Sequence, residues 1–375
     1  MRIVIAPDKF KGSLGAAEVA EAIAAGVRDK YPDAQLDLCP MADGGEGTVA
    51  ALVKATSGHT ITRQVTGPLA EMKVDAVFGI LGDNQTAVIE MSAASGLSLL
   101  KDADRNPLNT TTVGTGELLC AAAEAGATHI ILGIGGSATC DGGIGCAQGA
   151  GLTVLLRDGS AVSPTEPLTA RDLDQVLMVK YARGSPVDRV KITVACDVTN
   201  PLFGPDGAAV VYAPQKGASA SEVAQLDQML QRLAERTGKL NEANTPGAGA
   251  AGGLGFGMLA FFAATLRPGI EIVIDAVNLA DRLRGADLCI TGEGKLDHST
   301  LSGKTAAGVA RLCREIGVPC AAIGGSVEAN AGLEQLFNRM VQLRQPGMSL
   351  QESMSQTRQL LRQTAASAGL YEEAT

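Results

Sequence analysis

Two α/β domains, one of them assembled from both ends of the chain, are what this sequence predicts. Three features carry that expectation. Strand-length apolar runs alternate with helical patterns near both termini, the βαβα rhythm of parallel sheets covered by helices. Between residues 66 and 284 the texture changes, and an antiparallel hairpin signal sits among further strands and helices. Glycine is in excess, 46 of 375 residues, where ~7% is usual. With only 15 Pro, that excess marks tight turns rather than a Pro/Gly-rich tail. At ~150 residues per domain, the length also suits two or three domains.

The elements follow in order. Residues 2–6 form a short β-rich run. Gly12-Ser13 leads into a helix over 16–27, where Val19, Ile23 and Val27 recur at helical spacing. Residues 35–40 read as the next strand and 46–55 as the next helix. Residues 73–80 and 86–91 are extended runs separated by Gly82-Asp83-Asn84-Gln85, a hairpin and hence an antiparallel pair. A helix at 113–125, an apolar strand at 129–133, a Gly-rich turn and another helix come next, then strands at 153–156 and 191–195. Ser219 and Glu222 make a capping box that opens a helix over 223–236. The Gly-rich stretch 247–257 precedes an apolar helix at 258–266 and reads as a tight turn or ligand loop. From 286 the first texture returns: a strand at 286–290, an acidic Gly turn, a helix from 304 to 316, and strands at 319–323 and 339–343. A second capping box, Ser349 with Glu352, opens a final helix to 366. The simplest arrangement makes 1–65 and 285–375 one discontinuous, Rossmann-like α/β domain. Residues 66–284 are then an inserted α/β domain with a mixed sheet. No 20–50-residue repeat is visible.

Composition excludes several classes. Lys+Arg is 31 and Asp+Glu is 40, for a net charge of −9, and no basic cluster offers a nucleic-acid footprint. With no Trp and 3% aromatics, stacking platforms for single strands are missing as well. No apolar run approaches the ~18 residues of a membrane span. The start, Met1-Arg2-Ile3-Val4-Ile5-Ala6-Pro7-Asp8, is no signal peptide. The 8 Cys are scattered without a Cys-x-x-Cys pair, which reads as reduced thiols in a cytoplasmic protein. The 3 His form no metal-binding pair, so a structural zinc site is not expected. Oligomeric state is left open by these features.

The chemistry concentrates in acidic bends that follow apolar strands: Asp8; Asp43 and Glu46; Asp141; Asp197; Glu293 and Asp297. In open α/β sheets ligands bind outside the carboxyl ends of strands, where helix N-termini offer N–H groups and partial positive charge. Singly, an acid beside Gly is a cap or turn residue; five such bends in one chain point to a common role. Among the accompanying lysines, Lys11 and Lys304 stand at loop-to-helix junctions suited to an anion. Gly303-Lys304-Thr305 matches the end of a Walker A loop, but the required first glycine falls on His298, so a P-loop is excluded. Gly133-Ile134-Gly135-Gly136-Ser137-Ala138 fits a dinucleotide fingerprint, with Asp158 about 20 residues on. That supports an NAD(P)-dependent oxidoreductase as the alternative, against which Asp141 inside the turn would repel a pyrophosphate. No Gly-x-Ser-x-Gly elbow with His and Asp partners is present.

Together the bends resemble the bacterial type I glycerate kinases. The runs that carry the resemblance are Ile5-Ala-Pro-Asp-Lys-Phe-Lys-Gly-Ser-Leu14, Ala42-Asp-Gly-Gly-Glu-Gly47, Thr110-Thr-Thr-Val-Gly-Thr-Gly-Glu117, Gly135-Gly-Ser-Ala-Thr-Cys-Asp-Gly-Gly143, Cys196-Asp-Val-Thr-Asn-Pro-Leu202, Pro214-Gln-Lys-Gly-Ala218 and Thr291-Gly-Glu-Gly-Lys-Leu-Asp297. Cys140, where Asn is expected, and His298, where Gln is commoner, depart from the pattern. The resemblance implies ATP-dependent phosphorylation of D-glycerate, usually to 2-phosphoglycerate, with Mg²⁺ and with the site in a cleft between two α/β domains. The partners it implies are small molecules, ATP and D-glycerate, with neither nucleic acid nor membrane. Phosphoryl transfer is mostly positioning and charge neutralisation. On that basis Asp197, Lys11 and Asp8 are the catalytic candidates, Asp197 as general base or metal ligand. Asp43, Glu46, Glu293 and Asp297 are the candidates for metal. Lys216, Gly136, Ser137, Asp141, Asn200, Thr112 and Lys304 are the candidates for ATP or glycerate contact. A non-enzymatic regulator that binds a phosphorylated metabolite is the third reading.

Overall fold

The computed structural model describes residues 1–180, 184–302, 304–328 and 331–371. Along them the strands are β1 (Arg2–Ile5), β2 (Gln35–Leu38), β3 (His59–Thr66), β4 (Lys73–Ile80), β5 (Thr86–Glu90), β6 (His129–Gly133), β7 (Thr153–Leu156), β8 (Val176–Lys180), β9 (Lys191–Ala195), β10 (Thr265–Arg267), β11 (Leu288–Leu296), β12 (Cys320–Val327) and β13 (Arg339–Gln342). The chain resolves into two compact units. Met1–Asp43, Ala50–Ser57 and Ile270–Thr375 make the first; Gly44–Val49 and Gly58–Gly269 make the second.

In the first unit the sheet order is β13-β12-β11-β1-β2, with every neighbour parallel. Counted within the unit this is 2-1-3-4-5, a doubly wound sheet whose winding reverses between β1 and β11. Ile3, Val4 and Ile5 are wholly buried, as a parallel strand covered on both faces requires. The helix Ala16–Lys30 lays Val19, Ile23 and Val27 into the same core, together with Leu360 and Leu361 of the helix Thr357–Ala366. The expected final helix is broken at Gln356, with Leu350–Ser355 preceding it.

β11 corrects one expectation. The acidic stretch from Thr291 is not a turn but the second half of the strand, which stays in register with β12 from Thr291↔Ala322 to Leu296↔Val327. A Cβ on Gly292 would stand 2.3 Å from the Ile323 carbonyl oxygen. Its glycine therefore admits a neighbouring backbone rather than reversing the chain.

The second unit has the sheet order β10-β9-β6-β5-β4-β3. β3-β4-β5 is antiparallel and β5-β6-β9-β10 parallel, a mixed sheet. The hairpin between β4 and β5 forms as expected, and Asp83 Oδ1 accepts the N–H groups of Gln85 and Thr86 at 2.9 Å. β7 and β8 pair as a separate antiparallel ribbon. β3 carries no clear alternation because five of its eight residues are exposed, which is why periodicity does not find it. It pairs with β4 throughout, so the edge of the unit falls at 57/58 where 65 was expected. The other edge falls at 269/270 where 285 was expected, since Ile270 closes over Gly308 in the first unit. The apolar helix expected to reach 266 ends at Phe262, and Leu266 belongs to β10. Among the described residues no helix is long and apolar enough to cross a membrane.

Candidate functional site

In the first unit the acids gather where the winding reverses. Past β1 the chain stays beside β11, the Asp8 N–H donating to the Gly292 carbonyl at 2.8 Å. Asp8 is 6% exposed. Its Oδ1 accepts the Lys9 N–H at 2.7 Å and its Oδ2 the Thr305 hydroxyl at 2.6 Å. Burial pushes its carboxyl up to about 6; the Thr305 bond works against that, and the negative charge of Asp43 adds to it. Glu293 is on β11, and its Oε1 accepts the Thr300 hydroxyl at 2.8 Å. Burial pushes it up to about 7; Thr300 and Lys304 oppose the shift, and Asp8 and Asp297 add to it. Asp297 behaves oppositely. The Ser299 hydroxyl and N–H donate to its Oδ1 and Lys295 approaches Oδ2 at 3.1 Å, so it is held below the usual carboxylate range. Lys304, the residue before the helix Thr305–Ile316, stands 4.0 Å from Asp297 Oδ1.

At Asp8 and Glu293 the nearby cations, Lys9 and Lys304, do not outweigh burial. Burial and mutual repulsion raise Asp8 and Glu293, and a hard, oxygen-seeking divalent cation is the partner that relieves both. Asp8, Asp43 and Glu293 are the oxygens such an ion would draw on, although their ligand atoms do not all lie within 4.8 Å of one another. Asp297, His298 and Glu328 also offer ligand atoms within 4.8 Å of one another. There, however, Lys295 already stands between Asp297 and, at 2.6 Å, Glu328, where an ion would have to sit. Lys11 is exposed beyond Asp8, and its backbone passes beside Gly294.

In the second unit the carboxyl ends of β5, β6 and β9 carry the other candidates. The segment 44–49 crosses them. A Cβ on Gly133 would meet the Gly44 carbonyl oxygen at 2.3 Å, and Glu90 Oε1 accepts the N–H groups of Gly47 and Val49 at 3.1 and 2.9 Å. Glu46 is exposed on that segment. Asp197, past β9, is exposed, and its Oδ1 accepts the Gly269 N–H at 2.8 Å. Lys216 is 2% exposed, and its Nζ donates to Ser137 Oγ and to the Thr139 carbonyl, both at 2.7 Å. Burial brings its ammonium down to about 8. Gly136 is exposed beside Ser137. Asn200 is engaged internally, its Nδ2 donating to the Asp206 carbonyl and its Oδ1 accepting the Tyr212 hydroxyl.

Asp141 and Thr112 form a closed knot. Asp141 is wholly buried. Its Oδ2 accepts the Thr112 N–H at 2.9 Å and the Thr112 hydroxyl at 2.8 Å, and its Oδ1 accepts the Gly143 N–H at 3.1 Å. Thr112 Oγ1 in turn accepts the Cys146 N–H at 2.8 Å. Donors at the starts of the helices Val113–Glu124 and Ile144–Gly149 are thus met from within, the Thr112 and Gly143 N–H groups by Asp141 and the Val113 and Cys146 N–H groups by the hydroxyls of Thr111 and Thr112. This counts against the dinucleotide alternative: the 133–138 turn does not open a helix, since the next one starts only at Ile144, and N–H groups at that start are already engaged by Asp141 and Thr112. Asp158, the proposed ribose acid, instead bonds the N–H and hydroxyl of Ser160 in its own turn.

Sequence reasoning missed the hydroxyls that hold the acids, Thr300, Ser299 and Thr305, and the Glu90 cap. Thr305 had a signal: it closes the Gly303-Lys304-Thr305 match at a helix start, although Gly303 lies outside the described residues. Glu90 had none, since its partners lie more than 40 residues away.

The model of the glycerate kinase family matches residues 3–371. A glycerate kinase of Bacillus subtilis (strain 168) is 48% identical over 348 residues, 90% of each chain. A glycerate 2-kinase of Escherichia coli (strain K12) is 46% identical over 339 residues, 89% of this chain and 87% of that one. A crystal structure of a proposed glycerate kinase 2 from Salmonella typhimurium LT2 superposes with a TM-score of 0.86 at 42% identity, covering 98% of this chain and 96% of that one. The protein is thereby a phosphotransferase with an alcohol group as acceptor, which sets aside the oxidoreductase and regulator readings. The chain belongs to the glycerate kinase family.

Proposed function

We propose that the protein transfers the terminal phosphoryl group of ATP to D-glycerate, giving 2-phosphoglycerate, with Mg²⁺ as the required cation. The observation that carries this reading is the pair of buried carboxylates, Asp8 and Glu293, both raised by burial and by neighbouring acids. Asp8, Asp43 and Glu293 would hold Mg²⁺, whose charge would neutralise the phosphate oxygens. Asp297 orients Lys304 and Lys295 toward the same groups. Lys11 and Lys304 steer the polyphosphate, one past β1 and one at a helix start. In the second unit Lys216 spends two of its three N–H donors on Ser137 and Thr139. The third is offered to a substrate anion, with Ser137 and the Gly136 backbone beside it. Asp197, exposed past β9, takes the proton of the attacking hydroxyl; its bond from Gly269 holds the carboxylate in place. Thr112, Asp141 and Asn200 shape these loops from inside. ATP as the donor and eight unpaired thiols both suit a reducing, cytoplasmic setting.

Nuclear magnetic resonance of the product formed from ATP, Mg²⁺ and D-glycerate tests the reading. The expected product is 2-phosphoglycerate. A 3-phosphoglycerate product overturns the regiochemistry, and no product overturns the substrate. Asp197→Asn is expected to lower kcat by ~10²-fold or more, the size of a lost general base; near-normal turnover removes Asp197 from that role.

A further inference from the structure

Three of the eight cysteines converge in the first unit, away from the acids. Cys289 on β11 and Cys320 on β12 are register partners on adjacent parallel strands, so their side chains share a face of the sheet. Cys313 reaches that face from the last turn of the helix Thr305–Ile316. All three are at most 1% exposed. Their sulfurs lie within 4.8 Å of one another, and among the described residues no other cysteines group this way. The backbone around them is anchored: Cys289 N–H donates to the Pro319 carbonyl at 2.9 Å, Cys320 N–H to Asn338 Oδ1 at 2.8 Å, and the Cys313 carbonyl accepts the Gly317 and Val318 N–H groups at 2.9 Å. A pocket of about 450 Å³, lined by Ala310, Arg314, Val318 and Asn338 among others, touches the cluster at Cys320.

We propose that Cys289, Cys313 and Cys320 form a binding site for one thiophilic d¹⁰ cation, Zn²⁺ or Cu⁺, taken up through this pocket. With metal–sulfur bonds of ~2.3 Å, three sulfurs around a shared ion stand about 4 Å apart. Small side-chain rotations satisfy that from the observed spacing. Soft thiolates select Zn²⁺ and Cu⁺ over the hard Mg²⁺ of a phosphotransferase, so the two ion requirements do not compete. Around Zn²⁺ three thiolates leave a single net negative charge, and Arg314 lines the adjoining pocket. Zn²⁺ would keep a fourth position for an outside ligand, whereas Cu⁺ would be satisfied by the three sulfurs alone. An ion here would tie the end of the helix to β11 and β12.

The test uses the full chain, reduced and stripped by a chelator. It is titrated with Cd²⁺ as the optical probe for a Zn²⁺ site and, separately, with Cu⁺ held in a competing chelator. The expected result is a thiolate-to-metal charge-transfer band that saturates at one ion per chain in at least one of the two titrations. Saturation with Cd²⁺ alone assigns Zn²⁺, and saturation with Cu⁺ as well assigns the broader soft-cation class. Binding should release two to three protons per ion, because the thiols must deprotonate. Cys289→Ser and Cys320→Ala should each abolish stoichiometric binding, while Cys146→Ser, at a buried thiol outside the cluster, should keep it. No band at one equivalent of either ion in the unaltered chain overturns the proposal, whatever the variants do. So does binding without proton release, or a band of equal size in both cluster variants.

Discussion

Two acid–glycine segments that look alike in sequence do different work. In Thr291-Gly-Glu-Gly-Lys-Leu-Asp297 and the neighbouring Asp8, Glu293 is buried with one hydroxyl donor, Thr300, and Asp8 with two donors, Lys9 N–H and Thr305, and they sit at about 7 and 6, while Asp297, held by Ser299 and Lys295, is lowered instead. In 135–143 the one acid, Asp141, is buried more completely but accepts Thr112 and Gly143 donors through both oxygens. Burial raises all of these carboxyls. What differs is whether the protein itself supplies the compensating donors. An acid left short of them is available to a cation, and an acid fully bonded is part of the scaffold.

The sharpest way to break this comparison is to remove both kinds of acid. Asp141→Ala strands the donors of two helix starts and is expected to cost ~3–5 kcal/mol of stability, the range for breaking a buried charged network. A fall in the urea midpoint measures it; a loss under ~1 kcal/mol would show that water replaces the carboxylate freely. Asp8→Asn is expected to do the reverse, lowering kcat/KM by ~10²-fold or more, about 2.7 kcal/mol of transition-state stabilisation, while the fold persists.

The same Asp8 variant reports on linkage. The folded carboxyl sits near 6 against an ordinary value of 3.8, so the folded state binds the extra proton between those values. Its stabilising contribution is complete below about pH 4 and lost as pH rises through 6. Without divalent cations, Asp8→Asn should therefore gain on the parent by ~1–3 kcal/mol from pH 4 to pH 7. Thermal unfolding at the two pH values checks it, and added Mg²⁺ should stabilise the parent more than the variant.

Lys216 gives the opposite sign. Its folded value near 8 lies below the ordinary 10.5, so the unfolded chain binds more protons between them and stability rises with pH across that window. Relative to Lys216→Met, the parent should gain ~1–3 kcal/mol from pH 8 to pH 10.5; a flat difference would mean that the ammonium is charged at no cost. The smallest effect belongs to a region without site chemistry. Ser219 Oγ accepts the Glu222 N–H and closes a capping box on the helix Ala220–Thr237, and Ser219→Ala should cost ~1 kcal/mol with turnover unchanged.

Local signals were enough for much of the architecture. β1, β6 and β9 are short apolar runs, the helix Ala16–Lys30 keeps its buried spacing, and both capping boxes sit where Ser and Glu stand three apart. Interactions that run along the chain set these features, so the residues themselves announce them. β3 escaped because its exposed residues owe their pairing to β4, and the Thr291–Leu296 run escaped because glycine in a strand and glycine in a turn read alike until a neighbour such as Ile323 is in place.

By itself the sequence determined the α/β class, the acid and lysine types that phosphoryl transfer needs, and the stretches that resemble one kinase family. Only the tertiary structure decided which acids are short of donors, that Lys216 is buried against Ser137 and Thr139, and that Cys289, Cys313 and Cys320 meet. The reason is physical. Residue type sets what a group can bond, but desolvation and the positions of partners tens of residues away set what it does bond, and those exist only once the chain has folded.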